Sequence, residues 1–101
     1  MKALKLIQVT FKIRNTREEY EILAIEKAEQ IATFPGLVWK IWAYDDEKNE
    51  AMGMYYFRDD NLAKMVLDGL DPRTWPEGTY DLKFRMWDLQ EEICKITRAP
   101  L

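Results

Sequence analysis

Residues 4–14 alternate. Ile7, Val9, Phe11 and Ile13 fall on one side, and Gln8, Thr10, Lys12 and Arg14 on the other. Period two is the pattern of a strand with one buried face. The period changes at Thr16. Thr16-Arg17-Glu18-Glu19 has capping-box spacing: the Thr16 hydroxyl can accept from the Glu19 backbone N–H, and the Glu19 carboxylate can reach back to Thr16. A helix is predicted from residue 17 to about residue 33. Its apolar stripe is Tyr20, Ala24, Ala28 and Ile31, widened by Leu23, Ile25 and Ala32. Lys27 lies at the edge of that stripe and reads as a snorkelling lysine, with a pocket cation as the alternative.

Pro35-Gly36 ends this helix. Residues 37–44 and 51–57 read as two strands joined by an acidic turn, a hairpin. In the first, Leu37, Trp39 and Ile41 are assigned to one face, and Val38, Trp42 and Tyr44 to the other. In the second, Met52, Met54 and Tyr56 alternate with Ala51, Gly53, Tyr55 and Phe57. Asp59 then caps a shorter helix, about residues 60–70, with Leu62, Met65, Val66 and Leu70 on its buried side and Gly69 near its close. "DPRTWPEGT" is a loop by its Pro and Gly content. Residues 80–88 form a last strand, and residues 89–98 a short tail helix.

The order is βαββαβ plus a tail. It predicts an α+β, ferredoxin-like fold as a single domain, residues 1–101. Two helices cover one sheet face only. Both faces of the hairpin are apolar or aromatic, so a lone chain would leave a large apolar patch in water. A homodimer packed through the sheet faces is the expected remedy.

Composition narrows the function. Hydrophobic residues are 48% of the 101, which excludes a disordered chain. Lys+Arg 15 against Asp+Glu 18 leaves a net charge of −3, so a nucleic-acid partner is not expected. No stretch is long and apolar enough to suggest a membrane span. The charges scattered through "MKALKLIQVTFKIR" do not read as a signal peptide. Cys94 is the only cysteine and cannot form an internal disulfide, so a cytoplasmic setting is expected. Histidine is absent, which removes His-based acid–base chemistry, Ser-His triads and most zinc or haem ligation. No metal or cofactor is expected.

Candidate chemistry therefore falls to rings, Lys and Arg. Residues 34–57 hold seven aromatic side chains in 24 positions. Trp39 and Trp42 are on opposite faces of a regular strand, so only one can line a given pocket. Lys40, on the face of Trp42, reads first as a solvated edge lysine, and otherwise as a cation–π partner at the interface or a pocket base with a lowered pKa. Gly53 opens space within a strand, and Tyr55 and Phe57 on its face would wall a hollow. Tyr55 can exchange a hydrogen bond with a phenolic ligand. Arg85, next to Trp87 on the last strand but one position removed, can grip an anionic oxygen or form a surface ion pair. Gln8 and Thr10 can reach the other sheet face. Tyr55 and Arg85 are the candidate catalytic residues; Trp39, Lys40, Trp42, Gly53, Phe57 and Trp87 are the candidate substrate contacts.

One stretch, "PGLVWKIWAYDDEKNEAMGMYYFRDD", resembles the YdhR-type mono-oxygenase family in its PG-x-x-W-K-x-W, its Glu-Lys-Asn turn and its E-A-x-G-x-Y-x-F. This family belongs to the dimeric α/β-barrel group that also holds the antibiotic-biosynthesis mono-oxygenases. The dense match spans about a quarter of the chain, and "LIQVTF" is similar to the family's first strand. The resemblance implies a homodimeric barrel with a small-molecule pocket in each subunit. It implies oxidation of a small aromatic compound, polyphenol or quinol-like, by molecular oxygen without flavin, metal or haem. Phe57 stands where many barrel relatives carry a tryptophan. The alternative on the same scaffold is a non-catalytic small-ligand-binding homodimer.

Overall fold

A computed structural model describes residues 4–101; the first three residues of the expected domain, and of "MKALKLIQVTFKIR", lie outside it. The elements follow in the order β1 (Lys5–Ile13), α1 (Arg17–Ile31), β2 (Leu37–Asp45), β3 (Glu50–Phe57), α2 (Asp60–Gly69), a 3-10 turn (Pro72–Thr74), β4 (Thr79–Asp88) and α3 (Glu91–Ile96). The sheet order is β2-β3-β1-β4, with every neighbouring pair antiparallel. This is the expected ferredoxin-like βαββαβ arrangement with a C-terminal helix.

Local chemistry sets the boundaries. The capping box closes as its spacing requires: Glu19 N donates to Thr16 Oγ1 at 3.2 Å, and Thr16 N donates to Glu19 Oε1 at 3.1 Å. A cap of this kind contributes about 1 kcal/mol. Leu37 N donates to Phe34 O across Pro35-Gly36 at 3.2 Å, and Gly36 has φ +79. Proline sets the first turn residue, and glycine accepts the left-handed second one, so the chain reverses here. The Asp59 carboxylate caps α2 by accepting from Leu62 N at 3.1 Å. In the acidic turn, Asp45 Oδ1 accepts from Glu47 N and Lys48 N, and Asn49 takes φ +48.

The core lies between the sheet and the two long helices. Ile7, Val9, Phe11 and Ile13 bury as the alternation predicts, together with Ala51, Tyr55, Phe57 and Ala63. Two helical expectations are corrected. Ile25 is 64% exposed and Ala32 is also exposed, because α1 buries only the line through Tyr20, Ala24 and Ile31. Met65 is 66% exposed, because α2 turns Ala63 and Leu67 inward beside Leu62, Val66 and Leu70. That arc leaves Met65 on the far side of a 3.6-residue helix.

The hairpin carries a third correction. Leu37 pairs with Phe57, but Trp39 pairs with Tyr56, so Val38 is an extra residue in β2. A bulge changes the parity of a strand. Leu37 therefore joins the helix-side core with Tyr44, not the face of Trp39 and Ile41. On the outer face, Trp39 packs on Tyr56 with ring centroids 5.1 Å apart. The Trp39 indole N–H donates to Pro100 O at 2.7 Å, so the C-terminal residues cover part of this face. Among the described residues no helix is long and apolar enough to cross a membrane.

Candidate functional site

Aromatic rings from four separate segments converge on the helix side of the sheet. Phe11 of β1 meets Tyr20 of α1 at 5.8 Å and 60°, and meets Trp75 edge-on at 5.8 Å and 74°. Tyr20 stacks on Tyr44 of β2 at 5.9 Å. Tilted and edge-on pairs satisfy the ring quadrupoles but do not fill space as parallel plates would. Beside them is a cavity of about 180 Å³, bounded by the sheet, α1, the end of α2 and the segment that carries Trp75. An apolar cavity of about 150 Å³ is large enough to take benzene. The volume here therefore suits one substituted ring. Trp42, 38% exposed, stands at the rim, where a larger ligand would extend outward.

Lys40 provides the cavity's polar centre. β2 directs it to the helix side, where it pairs in register with Tyr55. Its stem lies across Gly53: a Cβ at that glycine would stand 2.7 Å from Lys40 Cε. The glycine thus makes room for a lysine, a more particular use than the open hollow expected from its place in a strand. Lys40 Nζ donates to the Tyr55 hydroxyl at 3.0 Å. It also lies 3.4 Å from the Trp42 ring centroid and 4.4 Å from that of Tyr55. Among the described residues no carboxylate pairs with it, and none lines the cavity. Burial without a counter-charge disfavours the ammonium form and brings the Lys40 pKa down to about 7. The solvated-edge reading of Lys40 is thereby corrected.

The same burial raises the neighbouring phenols. Tyr20 is pushed up to about 12 by desolvation, with a smaller contribution from Tyr44. Desolvation, and then Tyr20, raise Tyr55 further, so it stays a neutral donor across the physiological range. Lys27, read as a snorkelling lysine, also lines the cavity from α1.

Of the candidate residues, Lys40, Trp42, Gly53 and Tyr55 come together here. Phe57 is on the same sheet face but is 0% exposed in the core and does not reach the cavity. Trp39 is on the outer face. So are Arg85 and Trp87: Arg85 pairs with Gln8, its guanidinium lies 3.7 Å from the Trp87 ring centroid, and the Trp87 indole donates to Gln8 Oε1 at 3.0 Å. Tyr55 and Arg85 are thus separated by the sheet. Thr10 pairs with Met52 and Lys83 on the outer side. Sequence reasoning missed Phe11, Tyr20 and Trp75 as cavity walls. A tryptophan inside a Pro- and Gly-rich loop was the one available signal, since a ring that large is seldom left in water without a partner.

The family described as "Putative mono-oxygenase ydhR" matches residues 6–100. No curated protein matches the chain. Among solved structures, a mutant of SnoaB, a cofactor-independent oxygenase from Streptomyces nogalater, is similar at TM-score 0.66 and 14% identity, over 89% of this chain and 95% of that one. Protein SO0527 from Shewanella oneidensis is similar at TM-score 0.65 and 11% identity, over 88% and 93%. The "Putative Antibiotic Biosythesis Monooxygenase" from Bacillus cereus is similar at TM-score 0.61 and 10% identity, over 87% and 94%. At these identities the likeness is one of fold.

Proposed function

The chain belongs to the ydhR mono-oxygenase family, and on that premise we propose that it oxidises a small aromatic compound with molecular oxygen and no added cofactor. The observation that carries the reading is the ring-walled cavity with Lys40 and Tyr55 at its centre. Apolar rings bind and orient a flat substrate, and the two polar atoms grip its oxygen. A hydroquinone brings its own electrons. One atom of oxygen enters the ring, the other leaves as water, and the product is a hydroxyquinone, so no external reductant is required. The fold likeness to a cofactor-independent oxygenase supports this reading.

Oxygen uptake by the purified protein tests it, with a panel of hydroquinones and anthrones and no cofactor. Uptake is expected to depend on the protein, to survive a chelator and to fall in Tyr55→Phe. Saturable binding of the same compounds without uptake would instead identify a ligand-binding protein on this scaffold.

The reading includes self-association and a cytoplasmic setting. Ile41 on the outer sheet face is 47% exposed and Trp87 39%, a surface that a second copy would cover. Light scattering over a dilution series should give twice the chain mass. A monomer at every concentration would rule the dimer out.

A further inference from the structure

We propose that the cavity is a phenol-binding site in which the Lys40 amine takes the hydroxyl proton of a single-ring acidic phenol and holds the phenolate as an ion pair. This deepens the aromatic-substrate reading and rests on it.

The geometry supplies each part. Gly53 lets the lysine stem cross the strand, so the amine reaches the cavity rather than the solvent. The Trp42 face at 3.4 Å favours the ammonium once it forms. The amine already donates to the Tyr55 oxygen at 3.0 Å, which leaves the Tyr55 proton free to point at a ligand oxygen. A phenolate there would accept from Lys40 and from Tyr55, both charge-assisted hydrogen bonds. The ring would lie in a space of about 180 Å³.

The surroundings decide the ligand's charge. Tyr55 on β3, and Tyr20 and Lys27 on α1, are the other titratable groups around the amine. β1 presents Val9 and Phe11, the end of α2 presents Gly69 and Leu70, and the segment from Thr74 to Pro76 presents uncharged groups. A cavity with two amines and, among the described residues, no carboxylate disfavours cations and suits an anion.

Proton balance then separates phenols from carboxylic acids. Near neutral pH the desolvated amine of Lys40 is substantially uncharged. A neutral phenol carries its own proton: the O–H bond breaks, an N–H bond forms, and phenolate and ammonium remain with no net exchange with water. An aromatic carboxylate arrives already ionised, and Lys40 must draw a proton from solvent before it can serve as its counter-charge.

The test is a titration of the whole protein with 3-nitrophenol, without oxygen, one pH unit below the probe's own pKa, which is still above neutrality, so the Lys40 amine is mostly uncharged. Free probe is then mostly colourless, and its phenolate is yellow. The expected result is a saturable yellow band that depends on the protein. Lys40→Met should abolish the band and weaken binding by about 10-fold or more, read from tryptophan quenching. Tyr55→Phe should keep the band and weaken binding several-fold; it guards against a misfolded Lys40 variant, as does circular dichroism of each protein. Probe that saturates the protein while staying colourless would overturn the proposal. So would absent binding, or a band that survives in Lys40→Met. Benzoate should bind more weakly than the phenol, and tighter binding of benzoate would count against proton transfer. The band is read without turnover. A yellow complex with no oxygen uptake would therefore sink the oxygenase reading alone, and uptake without a band would sink this one alone.

Discussion

Phe57→Ala is expected to cost about 3–5 kcal/mol of folding stability, the usual range for removing a buried aromatic ring. Phe57 is fully buried at the end of β3, in register with Lys5 of β1 and Leu37 of β2. It belongs to the cluster that holds Ile7, Val9, Ala51 and Ala63. Truncation removes apolar burial and leaves a void that strands on both sides must either tolerate or collapse into. A domain of this size has about 5–15 kcal/mol in all, so the variant would sit close to its unfolding limit. Urea denaturation should show a lower midpoint with an unchanged slope. Aromatic-ligand affinity, measured well below that midpoint, should change little, because the ring does not reach the cavity. Lost affinity with intact stability would return Phe57 to the substrate wall, where strand alternation with Gly53 and Tyr55 first put it.

Lys40→Met should act in the opposite direction. In the unfolded chain lysine titrates near its ordinary 10.5, whereas in the fold Lys40 is brought down to about 7. Between those values the unfolded chain binds more protons. Stability therefore rises with pH across this window, by at most about 1.4 kcal/mol per unit from this group. The contribution is complete only above the unfolded value, and it is lost as pH falls through the folded one. Methionine fills a similar volume and has no charge to desolvate, so the variant should be the more stable protein at pH 7. Its advantage should shrink by about 1–2 kcal/mol between pH 7 and pH 9, since Lys40 keeps some contact with solvent. The comparison stops at pH 9 because the raised Tyr20 and Tyr55 begin to oppose folding near the ordinary tyrosine value of 10.0. Urea midpoints of both proteins at pH 7, 8 and 9 decide it. Titrations of groups that Lys40 does not touch cancel in the difference, and Tyr55, which it does touch, stays neutral in this range, so parallel pH profiles would mean that Lys40 is not desolvated in the fold.

A lysine that weakens the fold at neutral pH needs a compensating reason to be where it is. The notch at Gly53 sharpens the point, because a strand glycine forgoes packing of its own. Together they give the cavity a reactive polar atom at the expense of stability, a common trade at functional sites. Lys40→Met should thus gain stability and lose phenolate capture at once.

The local parts of this protein are written in the sequence. Alternation in β1 gave its buried face, the Thr16 box and Asp59 gave both helix starts, and Pro35-Gly36 gave the reversal into the hairpin. Each depends on neighbours within a few positions, so the order of elements, and with it the fold, follows from short-range chemistry. The site does not. Alternation says which residues share a face; which face the helices cover is decided by elements distant in the chain. One extra residue at Val38 reversed the parity of Leu37, a change no pattern of polarity announces. Tyr55 and Arg85 parted because β3 and β4 present them to opposite sides of one sheet. Trp75 entered from a loop read as plain connection, and it met Phe11 only after the chain had folded over β1. The lowered pKa of Lys40 is likewise a property of distant neighbours, the rings that exclude water. Sequence alone fixes where a strand begins and how it alternates; desolvation and cavity shape arise only when separate segments close around the same space.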